Sequence, residues 1–275
     1  MQPSNLNLAA DIIGHQRYLF LQIPRELQEP DLARRIDDLS QGMQNLYDIM
    51  GSPSKAALSN GCYQLLRGQP ERSSPRDIDH PELLEANLLI RLESSDSERL
   101  LRYETELRQV VEPLEITVDG LVGVQRPRSY TSHAMTQFAY APAQGPGPAE
   151  RYPLGVVTPM NKTQEWWDLN WMHRESFFLP RYDADENMVA KGHSLAAAAG
   201  ISCITRRLMH APNGYGQANT YDFVGYFEFD EEHAPVFEEV MAGLRDVGRN
   251  PEWKYVQEGP EWWGRRIQQA SDIWS

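Results

Sequence analysis

Two side chains in the second half of the sequence hold the most chemical promise: His193 and, thirteen residues further on, Arg206. His193 lies in Lys191-Gly192-His193-Ser194-Leu195-Ala196-Ala197-Ala198-Ala199-Gly200, which reads as a helix closed by a glycine cap. Ala196 and Ala197 fall three and four residues past the imidazole, so the neighbouring surface is nearly smooth and a flat cofactor could lie there. Taken alone, the pattern also suits a histidine that fills a core or bridges solvent beside a closely packed helix. The next segment adds to it. Ser202, Ile204, Arg206 and Leu208 share one face of a strand by period-two alternation, and Arg206 interrupts that face with a fixed cation. Phe223, Gly225 and Phe227 supply an apolar wall from the following strand, with a small residue at its middle.

Other chemistries find little support. The sequence contains no nucleotide-binding glycine loop, paired CxxC or HExxH helix. Cys62 and Cys203 sit in apolar segments and read as reduced core residues. Asp230-Glu231-Glu232-His233 imitates a metal cluster, but acidic residues there complement the dipole of a helix that starts beside them. Trp262-Trp263-Gly264-Arg265-Arg266 suits either a subunit contact or the edge of a cofactor. With 26 Lys and Arg against 39 Asp and Glu, the net charge of -13 opposes phosphate backbones and anionic lipid surfaces. At 275 residues, 41% hydrophobic and 24% charged, the chain is globular in composition, and no apolar stretch is long enough to cross a bilayer. Its first residues, MQPSNLNLAADIIGHQ, lack the basic and apolar regions of a signal peptide, so a cytoplasmic location is expected unless a leader has been removed.

The elements that must position these residues come in a repeated order. An apolar run at 18–23 suits a strand, and Leu32, Ile36, Leu39, Met43, Leu46 and Met50 form one helical stripe stopped by Gly51 and Pro53. Strands are expected at 57–66 and 86–92 around an exposed loop, then a helix from Ser97 bearing Leu100, Tyr103, Leu107 and Val110, then a strand at 116–124. After PAQGPGPAERYP the order repeats: a strand at 154–159, a largely helical region at 166–199, strands at 201–209 and 221–229, a helix carrying Val236, Phe237, Val240, Leu244 and Val247, and a closing strand from Lys254. The expected fold is therefore α+β. Two ferredoxin-like β-α-β-β-α-β halves, 1–145 and 146–275, pack their antiparallel sheets together as a barrel.

Several linked segments now point the same way: LVGVQRPRSYTS, PMNKTQEWW, the spacing of His193 and Arg206, and YDFVGYFEFD. Together they resemble the chlorite dismutase family, haem proteins built from paired ferredoxin-like halves that form oligomers. The resemblance covers residues 121–264, and before them only the order of elements matches. It implies that His193 is the proximal ligand of a haem b iron and that Arg206 is the catalytic distal arginine. Tyr130 and Lys162 would contact the haem propionates, Trp166 and Trp167 would form a tryptophan pair beside the haem, and Phe227 would help wall it. The chemistry agrees, since imidazole is a suitable axial ligand, an ammonium can pair with a carboxylate, and indoles give large apolar contacts. Trp166 and Trp167 would serve equally as core aromatics, and Lys162 as a solvated surface lysine.

The sequence also departs from the family's pattern. The carboxylate that hydrogen-bonds the ligand histidine in many members falls on Arg249 or on Glu252, depending on where Asn250-Pro251 is placed. Gly225 stands where some members carry a distal threonine, which leaves more room above the haem. The implied activity is decomposition of chlorite to chloride and dioxygen, with Arg206 attracting the anion and retaining transient hypochlorite. Peroxidase-like chemistry, or a non-catalytic haem sensor or carrier, would use the same scaffold. A coproheme decarboxylase needs a radical-relay tyrosine where this sequence has Thr158.

Overall fold

Alternation along the strands decides which way each residue faces. In strand β1 (Gly14–Leu21), Leu19 and Leu21 join an outer apolar cluster whereas Tyr18 and Phe20 join an inner one. The computed structural model describes residues 14–47, 53–126, 152–218 and 220–274. Its further strands are β2 (Gln44–Asn45), β3 (Cys62–Gly68), β4 (Leu88–Ser94), β5 (Val118–Gln125), β6 (Leu154–Lys162), β7 (Arg181–Tyr182), β8 (Met188–Ala190), β9 (Thr205–His210), β10 (Phe223–Phe229), β11 (Val256–Glu258) and β12 (Trp262–Ile267). Antiparallel pairing runs β6-β12-β3-β4-β1-β5-β9-β10, and β10 pairs with β6 in turn. The β5–β9 junction rests on the pair Val124↔His210.

Helices cover the outer faces. Pro30–Asp38 and Ser97–Val111 bury Leu32, Ile36, Leu100, Tyr103 and Leu107 against Leu19, Leu65 and Ile90. In the second half, Ala234–Arg245 lays Phe237, Val240, Met241 and Leu244 on Val156, Phe227 and Phe229. The inner faces of both halves meet in one core containing Tyr18, Phe20, Leu66, Val157, Met209, Tyr226 and Trp262. Charged groups share that interior as a matched set. Glu93 accepts 2.6 Å hydrogen bonds from Arg91 and Arg207, while Gln64 links Arg91 to Glu228. Such groups are tolerated away from water because each charge meets its opposite.

The α+β class and the β-α-β-β-α-β order agree with the sequence, but several elements differ from expectation. The first helical stripe ends at Asp38, because Gly42 turns the chain with φ +80°; Leu46 then joins Ala57 and Cys62 in a separate cluster. Residues 55–60 form a helix capped by Ser54, and Gly61, at φ +77°, switches the chain into β3. The stretch expected to be helical at 166–199 is broken into Gln164–Asp168, Trp171–Ser176, the β7–β8 pair and Gly192–Ala196. Trp262-Trp263-Gly264-Arg265-Arg266 belongs to β12, between β3 and β6. There Trp262 enters the inner core and Trp263 the outer, so neither tryptophan waits at a surface. The end of β12 and the residues after it return to the first half, where Ile267, Ala270 and Ile273 join its outer cluster.

Trp262→Ala is expected to cost about 3–5 kcal/mol in urea unfolding, because it opens a void where the two halves meet. Trp171→Ala, at a residue 62% exposed, should stay within about 0.5 kcal/mol. Equal losses in the two variants would contradict this packing.

Candidate functional site

His193 is placed by backbone constraints on both of its sides. Gly192 takes φ +68°, and a Cβ there would fall against the Leu179 carbonyl, so a side chain would meet both strain and a clash. The His193 amide donates to Phe177 O at 3.2 Å, and Ser194 Oγ donates to Phe178 O at 2.7 Å. The helix expected to run to a cap at Gly200 is one turn, Gly192–Ala196, followed by a 3₁₀ turn at Ala198–Gly200. The imidazole is thereby fixed against the outer face of β6, β9 and β10.

Behind the imidazole stands Glu252, on the 3₁₀ turn Pro251–Tyr255. Asn250 anchors that turn by donating from its side chain to Leu244 O at 2.8 Å and from its amide to Asp246 O at 2.7 Å. Glu252 is buried, with Oε2 2.8 Å from His193 Nδ1 and Oε1 2.5 Å from Lys162 Nζ. Burial alone would raise its pKa, but the Lys162 charge and the His193 contact outweigh it and hold the carboxyl well below the usual carboxylate range. An ionised carboxylate only accepts hydrogen bonds, so Nδ1 of a neutral His193 carries the proton and Nε2 the lone pair. Nε2 is therefore the atom through which this histidine would hold a metal.

Glu252, not Arg249, occupies the carboxylate position that the sequence left open. Arg249 is exposed beside Asp246, and its carbonyl accepts from Lys191 N at 2.8 Å. Lys162 is likewise not the surface lysine it could have been. It is buried, its Nζ lies on Glu252 and 4.3 Å over the Trp166 ring, and burial lowers its pKa against the pull of that carboxylate.

Two narrow clefts adjoin at His193, Arg206, Phe227 and Leu244. One passes along Met160, Trp166, Phe178 and Phe223; the other passes along Ala197, Ile201, Ile204 and Phe237. The first is a thin slot, a cavity of only about 40 Å³. Arg206 pairs with Phe227 in the sheet, and its guanidinium lies 5.8 Å from that ring's centre. Thr158 also faces the slot. It pairs with Gly225, and a Cβ on Gly225 would come 2.5 Å from Thr158 Oγ1, so the room expected at Gly225 is filled from β6.

Trp166 lines the slot, whereas Trp167 stands behind it. The Trp167 ring stacks on Tyr215 at 4.5 Å, and its Nε1 donates to Asp222 Oδ2 at 3.3 Å. Tyr130 lies outside the described residues. The Asp230–His233 segment is an exposed turn capping the last long helix, with Glu231 paired to Arg72 and Arg265. Apolar walls, a carboxylate-held imidazole and an arginine suit a flat metal macrocycle, which His193 Nε2 would hold. A wider cavity of about 450 Å³ beside His80, Asp119 and Tyr221 shares no residue with these clefts.

Comparison with known proteins adds the fold. No protein-family model and no curated protein matches the chain. Solved structures do. The chlorite dismutase of Candidatus Nitrospira defluvii in complex with imidazole is 16% identical, with 97% of this chain and 95% of that chain covered and a TM-score of 0.65. A tryptophan-to-phenylalanine variant of that enzyme in complex with cyanide gives 16%, 97% and 95%, with a TM-score of 0.64. A candidate chlorite dismutase gives 13%, 94% and 96%, with a TM-score of 0.61. The chain thus has the chlorite dismutase fold over nearly its whole length.

Glu252→Ala is expected to cost about 3–5 kcal/mol by urea unfolding, since it leaves the Lys162 ammonium buried without its carboxylate. Adding Lys162→Met should return more than about 1 kcal/mol of that loss, and strictly additive effects would contradict the pairing.

Proposed function

We propose that the chain binds haem b through His193 Nε2 and decomposes chlorite to chloride and dioxygen. The observation that carries this reading is the buried Glu252–His193 contact at the wall of a thin apolar slot that also contains Arg206. When bound, the haem supplies the redox-active iron at which the chlorine–oxygen bonds of ClO₂⁻ are exchanged for Cl⁻ and O₂.

The protein residues have separable tasks. Glu252 keeps the proton on Nδ1 and makes the imidazole a stronger electron donor through its other nitrogen. Lys162 acts through Glu252 by neutralising a charge that would otherwise be buried alone, in place of the propionate contact its sequence position suggested. Trp166 and Phe227 pack the macrocycle, Trp167 supports Trp166's end of the slot, and Tyr130 is the remaining candidate for a propionate. Arg206 supplies positive charge for a small anion, which matters in a chain of net charge -13 that repels anions elsewhere. Among described residues no helix is long and apolar enough to cross a membrane. A homo-oligomer belongs to the same reading, because Trp171, Met172, Tyr182 and Val189 expose apolar area that association could cover.

Reconstitution should give about one haem per chain, and His193→Ala should lose the normal Soret spectrum and high affinity. Arg206→Ala should keep haem but evolve oxygen from chlorite roughly 10¹–10³-fold more slowly, or lose activity sooner. Haem-loaded wild type that releases no oxygen in an oxygen electrode would overturn the chlorite reading and leave peroxidase-like chemistry or a haem carrier or sensor. Light scattering should find a species larger than the 31.5 kDa monomer at micromolar concentration; a monomer alone would remove the oligomer.

A further inference from the structure

Thr158 has a buried hydroxyl that the fold does not use. The residue is 1% exposed, it lies on the slot side of β6, and its Oγ1 has no hydrogen-bond partner among the described residues. A valine would fill the same volume without the cost of a buried polar atom left unsatisfied. The hydroxyl also holds a defined place. Pairing sets Thr158 across from Gly225, which in turn sits across from Leu208 on β9. Because a Cβ at Gly225 would meet Oγ1 at 2.5 Å, the bare backbone of β10 is what allows the β6 hydroxyl to stand there. One residue pair further along the same sheet face, Phe227 separates Val156 from Arg206. The slot therefore presents one guanidinium and one hydroxyl from strands on either side of β10, among apolar side chains.

We propose that Thr158 Oγ1 donates a hydrogen bond to the small anion that Arg206 attracts, so that the anion site has a second polar contact supplied by β6. This inference rests on the haem-binding reading above. Threonine suits the task because its hydroxyl rotates to present a proton, and an anion offers the acceptor that the surrounding Met160, Leu208 and Phe223 side chains lack. Thr158 and Gly225 then act as a pair, since a hydroxyl projecting from either strand excludes one from the other.

Fluoride, a small anion that only accepts hydrogen bonds, is a suitable probe, titrated by absorbance into the ferric haem-loaded protein. Thr158→Val should weaken fluoride binding about ten- to a hundredfold, while Thr158→Ser should remain within about threefold of wild type. Without haem, Thr158→Val should unfold at the same temperature as wild type or higher, because it removes an unsatisfied hydroxyl; a structural role for the hydroxyl would lower that temperature. The double variant Thr158→Ala/Gly225→Ser, which supplies the hydroxyl from β10, should recover at least part of the lost affinity. Wild type that takes up haem and binds fluoride no more tightly than Thr158→Val would overturn this proposal alone. Wild type that takes up no haem would overturn both it and the reading on which it rests.

Discussion

One buried carboxylate sets the terms for the rest of the site. Glu252 cannot be held ionised away from water unless both of its oxygens are engaged, and the groups that engage them come from distant parts of the chain. Lys162 ends β6, His193 follows the left-handed Gly192, and Glu252 sits on a turn anchored by Asn250. Meeting that one requirement fixes the relative positions of three segments and the tautomer of the histidine. A second carboxylate locks the neighbourhood, since Asp222 accepts from the Lys162 amide at 2.8 Å and from Trp167 at 3.3 Å.

The two halves share a plan and differ in what they do with it. In the first, the long helix Ser97–Val111 closes tightly on its sheet, burying Leu100, Leu107 and Val111 completely enough to leave a continuous apolar cluster. In the second, the stretch between β6 and β9 is broken into short pieces and one turn of helix stands at Gly192–Ala196. Small residues such as Ala197 and Gly200 then line a cleft between that turn and the sheet. The slot lies where the layer over β6, β9 and β10 is made of these short pieces. The inner core, with Glu93 between Arg91 and Arg207, holds the strands while the outer face of the second half carries the two clefts.

Much of this was legible in the sequence because it follows from period and residue type. Alternation placed Arg206 and Leu208 on one face, and helical spacing found the faces of Ser97–Val111 and Ala234–Arg245. Other parts carry no such signal. β12 is apolar toward both cores, so Trp262 and Trp263 show no alternation to read. The stripe from Leu32 to Met43 keeps helical spacing through Gly42, and only the turn reveals that Leu46 serves another cluster. Choosing Glu252 over Arg249 required knowing which residue is buried, which an insertion at Asn250-Pro251 conceals from any count of spacing. The role proposed for Thr158 depends on a cross-strand neighbour 67 positions away, Gly225, and no local motif joins them.

Glu252 holds the Nδ1 proton of His193 and would thereby set the donor strength of Nε2. Resonance Raman spectroscopy of the ferrous haem-loaded protein reads this directly through the iron–histidine stretching frequency. The frequency should be higher in wild type than in Glu252→Gln, where a neutral amide replaces the carboxylate behind the ring. The same frequency in both proteins would contradict it.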